Sequence, residues 1–178
     1  MIVLKSDRDL EAMRPACLVA GRVLDEIAAF IKPGVTTRQV DKFAAEQIKA
    51  HGAKSAFLGY RKYPCHTCIS VNDEVVHGLA GDRELHFGDI VSVDVGVIHG
   101  GFVGDNARTF AVGGCGVLAQ RLMDVTEHAL YEGVAAAVSG NSGAWCSKNA
   151  RYIAFRVLSI LLCNLFDHRP TPTASPSP

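Results

Sequence analysis

Valines stand at positions 91, 93, 95 and 97, a strict period of two across residues 90–98. Only an extended strand has that period, because successive side chains leave it on opposite faces. Residues 90–98 are therefore expected to form a strand with one wholly apolar face. His99-Gly100 can serve as a two-residue loop, and residues 102–112 then make the returning strand of a hairpin. Asp94 interrupts the valine run. The His99-Gly100 loop would put it directly opposite Asp105, both side chains on one face with Cβ atoms roughly 5 Å apart. Two such carboxylates repel, and burying one without compensation costs several kcal/mol. A shared divalent cation removes both problems, since facing carboxylates offer hard oxygen ligands. Two other arrangements stay open on geometry alone: the Asp face turns to solvent, or one Asp pairs with Arg108 or with an N–H-rich turn.

The segment before the hairpin reads as helical. Ser6 is a candidate N-cap for a helix reaching about residue 31, with Leu10, Met13, Cys17, Val19, Leu24 and Ile27 near helical spacing. Pro15 is expected to kink it, and Lys32-Pro33-Gly34 to end it. Thr36 with Gln39 forms a capping-box pattern for a second helix over 37–51, stopped by Gly52. Residues 55–64 read as an aromatic-rich loop, 67–71 as a short strand, 72–74 as a turn and 118–138 as a third helix. The fold class is α+β, an antiparallel sheet with helices packed on one face.

Composition excludes some partners. Eighteen acidic residues balance eighteen basic ones, so nothing electrostatic draws the chain to nucleic acid or to an anionic membrane. After Met1 only three apolar residues precede the charge of Lys5, unlike a secretory signal. The apolar stretch 152–166 is broken by Arg156 and Asn164 and is shorter than the roughly 20 residues of a membrane span. A soluble, cytoplasmic chain is expected. Six cysteines are irregularly spaced. Cys65-His66-Thr67-Cys68 lacks both the second ligand pair of a structural zinc site and the strand that precedes a redox motif. Free thiols are expected there.

Several ordered strings resemble the signatures of type I methionine aminopeptidases. They are Gly59-Tyr60-Arg61-Lys62-Tyr63-Pro64, then Ile69-Ser70-Val71-Asn72-Asp73-Glu74-Val75-Val76-His77-Gly78, then Gly88-Asp89-Ile90-Val91-Ser92-Val93-Asp94-Val95-Gly96, and finally Gly101-Phe102-Val103-Gly104-Asp105-Asn106-Ala107-Arg108-Thr109-Phe110. The resemblance runs from the first helix to about Val138. It implies the first half of a pita-bread fold, in which two pseudo-symmetric αβ halves enclose a dinuclear metal site. It further implies that Asp94 and Asp105 are metal ligands, Asp105 the bridging one, and that His77 contacts substrate near the scissile bond. Phe57, Tyr60, Tyr63 and Cys68 fall where the methionine pocket is lined, a slot suited to a flexible thioether. The cofactors implied are two divalent ions (Co, Mn, Fe or Zn), and the substrate is the N-terminal methionine of nascent polypeptides.

The sequence also departs from that family. Its remaining ligands, one His and two Glu, come from the second half of the fold, the His within a Gly-His-Gly-Ile-Gly-like stretch that has no match here. Residues 139–178 hold one acidic residue, Asp167, against 17 before them, and end in alternating prolines. The expected division is 1–138 as the first half of the catalytic domain and 139–178 as a divergent, partly disordered tail. A frameshift or similar lesion near codon 139 is the expected origin. With two of five ligands the chain alone is expected to bind metal weakly and to be inactive. Its uncovered apolar surface is expected to allow self-association, or to serve a non-catalytic binding module.

Overall fold

In the computed structural model, which describes residues 5–138, Ser6 and Asp9 cap the first helix reciprocally. The Ser6 hydroxyl accepts from the Asp9 amide, and the Asp9 carboxylate accepts from the Ser6 amide at 3.0 Å. Helix α1 spans Asp7–Phe30 and continues through Pro15 as one element. The proline forfeits a hydrogen bond, but the next residues are anchored. Ala16, Val19, Ala20, Val23, Leu24 and Ile27 are buried along one stripe. Leu10 and Cys17, expected on that stripe, are exposed. The stripe follows positions 16, 20, 23 and 27, and Cys17 lies about 100° around the helix from Ala16.

Ile31 closes α1 before Pro33-Gly34. Helix α2, Thr37–Ala50, opens with the expected capping box of Thr36 and Gln39. It ends ahead of Gly52, whose φ of 70° suits glycine. Phe30 and Phe43 stack with ring centroids 4.3 Å apart, and Glu26 meets His51 at 2.9 Å. Both contacts tie α1 to α2.

The sheet has four strands: β1 (Lys54–Ser55), β2 (Cys68–Val71), β3 (Ile90–His99) and β4 (Phe102–Ala111). All pair antiparallel with β3. Along one edge β3 takes β2 at residues 91–94 and β1 at 97–98, and along the other it takes β4 over its whole length. The core face is the one the valine period predicts. Val91, Val93, Val95 and Val97, with Ile69 and Val71 of β2, are fully buried in one cluster with the inner stripes of α1 and α2. Gly104 lets α1 sit close on β4, because a Cβ there would lie 2.2 Å from the Ala16 carbonyl oxygen.

The hairpin loop differs from expectation. His99 pairs with Phe102, so the loop is Gly100-Gly101, with φ of 57° and 84°. A tight turn of this kind needs positive φ at both central residues, which two glycines supply and His99 would supply only with strain. The register therefore moves by two. Asp94 lies opposite Ala107 and Asp105 opposite Gly96. A two-residue shift preserves the face, so the two carboxylates are diagonal neighbours on one face and not directly opposed.

The chain divides into two compact units, Met1–Cys115 and Gly116–Pro178. The described part of the second contains helix α3, Val117–Ala136. The apolar stretch 152–166 and the rest of the tail after 138 lie outside the described residues.

Candidate metal centre

The face of the sheet opposite the core carries the chemistry. Since paired residues share a face, Cys68, Asp94 and Ala107 stand in one row, Gly96 and Asp105 in the next, and Ser70, Ser92 and Thr109 on the other side. The Ser92 and Thr109 hydroxyls share a hydrogen bond of 2.8 Å. Asp94 is half-buried, and its Oδ1 is buried with no hydrogen-bond partner.

The electrostatics follow from that placement. Removal from water raises the Asp94 carboxyl most, the charge of Asp105 adds to it, and a hydrogen-bonding contact with Asp105 adds again. His77 alone among the named neighbours pulls the other way, and the result is a carboxyl pushed up to about 6. Burial likewise raises the Cys68 thiol, with Asp94 and Asp105 adding to the effect. Arg108 is no counter-ion for this pair. It projects from the opposite face, donates to Asp25 of α1 at 3.0 Å and lies over the Phe110 ring. The pair does not turn fully to solvent either. A buried, unsatisfied carboxylate oxygen facing a second carboxylate is the condition a hard cation relieves. The donors fit such an ion as half a site: among the described residues no group of three or more His, Cys, Asp or Glu is gathered.

The expected pocket residues gather around the pair, with one exception. Phe57 lies over Gly96, where a Cβ would come within 2.3 Å of its ring. Tyr63 donates its hydroxyl toward the Thr67 and Gly78 carbonyls, at 3.2 and 2.9 Å, and also meets the Cys68 thiol. Burial raises the Tyr63 phenol, so it stays protonated and donating. His77 sits in a turn with φ of 53°, next to Val76 at 27°. Left-handed backbone at a β-branched residue is strained, and the following Gly78 is pinned through its carbonyl by Tyr63 and Ile69 and through its amide by Ser70. Tyr60 stands apart, 63% exposed, with its ring against the Arg61 guanidinium.

One supporting residue carried no sequence signal. Asp41 of α2 accepts from the His66 amide at 3.0 Å, the Thr67 amide at 2.8 Å and the Thr67 hydroxyl at 2.7 Å. It fixes the segment that delivers Cys68 into β2. Cys65 and Cys68 are free and buried.

The two carboxylates are diagonal neighbours on the face of the hairpin turned away from α1. The profile of metallopeptidase family M24 matches residues 11–159, and the chain belongs to that family. Its relatives include the methionine aminopeptidase of Clostridium acetobutylicum, 44% identical over 142 residues, which cover 79% of this chain and 57% of that protein. Methionine aminopeptidase 1 of Bacillus subtilis is 40% identical over 140 residues, 79% of this chain and 56% of the relative. The chain thus spans about half the length of the curated relatives it matches. Among solved structures, methionine aminopeptidase from Rickettsia prowazekii superposes with a TM-score of 0.73 at 38% identity, over 75% of this chain and 54% of that one. Prolidase from Pyrococcus furiosus, at 23% identity and a TM-score of 0.76 over 86% of this chain and 44% of that one, shares the fold. The described part is the first half of the pita-bread fold, and the match continues past Val138.

Proposed function

We propose that residues 1–138 form the N-terminal half of a methionine aminopeptidase catalytic domain. In this reading Asp94 and Asp105 hold divalent metal, and residues 139–178 are a divergent tail into which the family match runs as far as residue 159. The observation that carries it is the diagonal Asp94–Asp105 pair, with the Asp94 oxygen buried and unsatisfied. A divalent ion held there supplies Lewis acidity toward water and toward the scissile carbonyl of a peptide.

The chain's own residues do the rest. Phe57, Tyr63 and Cys68 offer an aromatic and sulfur-lined slot to the side chain of an N-terminal methionine, with Tyr60 standing apart from it. His77 contacts the substrate beside the carboxylates, held by the pinned Gly78. The Tyr63 hydroxyl is engaged with backbone carbonyls, so it shapes the slot and exchanges no proton. Cobalt, manganese, iron and zinc all suit the oxygen pair, and nascent polypeptides in the cytoplasm are the substrate class. Two carboxylates hold such an ion weakly, so the chain alone does not turn over.

Titrating a Met-Gly-Met peptide into the isotopically labelled chain tests this, with manganese replaced by diamagnetic zinc for the spectra. Amide shifts should concentrate at Phe57, Tyr63, Cys68 and His77, with no methionine released. Shifts elsewhere, or release that survives Asp105→Asn, would refute the assignment.

A further inference from the structure

Among the described residues, strand β4 is paired on one side only. In a hairpin with a two-residue loop the flanking residues, here His99 and Phe102, exchange hydrogen bonds, and the pattern then alternates. Even-numbered residues of β4 therefore turn their N–H and C=O groups toward β3. The continuation agrees: the Val112 amide donates to Asp89, and the Val112 carbonyl accepts from Gly88. The odd-numbered residues Val103, Asp105, Ala107 and Thr109 point theirs outward, where no backbone partner meets them among the described residues. The ladder with β3 is unbroken from Ile90↔Ala111 to His99↔Phe102. The edge has no bulge and no proline, two of the devices that ordinarily block pairing; its charged residues are Asp105 and Arg108, and Val103 on it is 54% exposed.

We propose that this edge takes the β4 strand of a second copy of this chain, antiparallel across a two-fold axis at Asn106. The sequence of β4 selects both occupant and register. Outward-bonding residues must face outward-bonding residues, which allows centres at 105, 106 or 107. A centre at 105 sets Asp105 against its own copy, and a centre at 107 takes Phe102 and Phe110 out of alignment. The centre at 106 opposes Phe102 to Phe110 twice and Val103 to Thr109 twice. It also sets Asn106 against Asn106, Gly104 against Arg108 and Asp105 against Ala107. No like charges are directly opposed, and aromatic and β-branched cross-strand pairs are the favourable ones.

The same register extends the candidate site. Asp105 becomes diagonal to Asp105 of the second copy, as Asp94 already is to Asp105 within one chain. Four carboxylates then line one face in a row, so the second copy supplies donors that a single copy lacks. This consequence rests on the metal reading above, whereas the strand pairing does not.

Sedimentation velocity of the full chain at about 10–100 μM, with EDTA and with manganese, reads the assembly. A dimer is expected in both, tighter with manganese. Ala107→Pro removes an outward N–H while leaving the β3 ladder intact; it should weaken dimerisation about 10–100-fold through two symmetric lost bonds. Asn106→Cys should form a disulfide-linked dimer, mapped by mass spectrometry to position 106 of both chains, and Ala107→Cys should not. A monomer at every concentration overturns the proposal, as does a dimer that resists Ala107→Pro and fails to cross-link through position 106. Dimerisation through position 106 that ignores manganese upholds the interface and removes only the metal reading.

Discussion

Replacing Asp94 by Asn should stabilise the metal-free chain at neutral pH. The Asp94 carboxyl is raised from 3.8 to about 6 in the fold, so the folded chain keeps a proton that the unfolded chain releases. Between those two values the native state binds more protons, and stability falls as pH rises. The stabilising share is complete below about 4 and lost above about 6. A shift of about two units corresponds to roughly 3 kcal/mol, and the partial exposure and coupling to Asp105 reduce that to about 1–2 kcal/mol. The amide of the variant carries no charge to desolvate and none to oppose Asp105, so the penalty disappears. In EDTA at pH 7.5, Asp94→Asn should unfold about 2–10 °C above the wild type, and at pH 4 the two should coincide. Calorimetry or circular dichroism at both pH values measures this. A variant less stable than wild type at pH 7.5, or a gain of equal size at pH 4, would refute the argument that the carboxylate pair is strained without a cation.

Gly104→Ala should cost about 2 kcal/mol or more, because the added carbon meets the backbone of α1 and neither element can yield cheaply; urea unfolding reads it. Gly96→Ala should cost less, since its obstacle is the Phe57 ring, and the loss should show as weakened peptide shifts at Phe57. Asp41→Ala leaves three donors of residues 66 and 67 without their acceptor and should cost about 2–3 kcal/mol, with faster amide exchange at Thr67. Tyr63→Phe should leave global stability within about 1–2 kcal/mol while amide exchange at residues 76–78 accelerates.

Much of this fold is written locally. Both capping boxes, the Gly52 stop and the alternating valines each act over a few residues, so helix starts and the buried face of β3 could be read directly. The hairpin register could not be read from periodicity alone. A period of two fixes the face of Asp94 and leaves the loop to fix its partner. The choice between His99-Gly100 and Gly100-Gly101 turns on which residues tolerate positive φ. The facing carboxylates survived that difference because a shift of two keeps the face. Leu10 and Cys17 were placed inward because they are apolar, whereas the packing of α1 follows a stripe that its alanines define. Asp41 shows the limit. Its partners lie some 25 residues away, and nothing in its neighbours marks it as an anchor. Tyr63 and His77 lie within the strings that carry the resemblance and Phe57 and Cys68 beside them, whereas their approach to one another is a property of the folded chain.

Manganese binding at the Asp94–Asp105 pair is the central claim, and titration calorimetry of the metal-free chain at pH 7.5 reaches it most directly. The wild type should bind with Kd on the order of 10⁻⁴–10⁻³ M, as expected for an oxygen site with few protein ligands. Both Asp94→Asn and Asp105→Asn should abolish the heat of binding while keeping the far-UV spectrum of the fold. Undiminished binding by the Asp94→Asn/Asp105→Asn double variant would contradict the account.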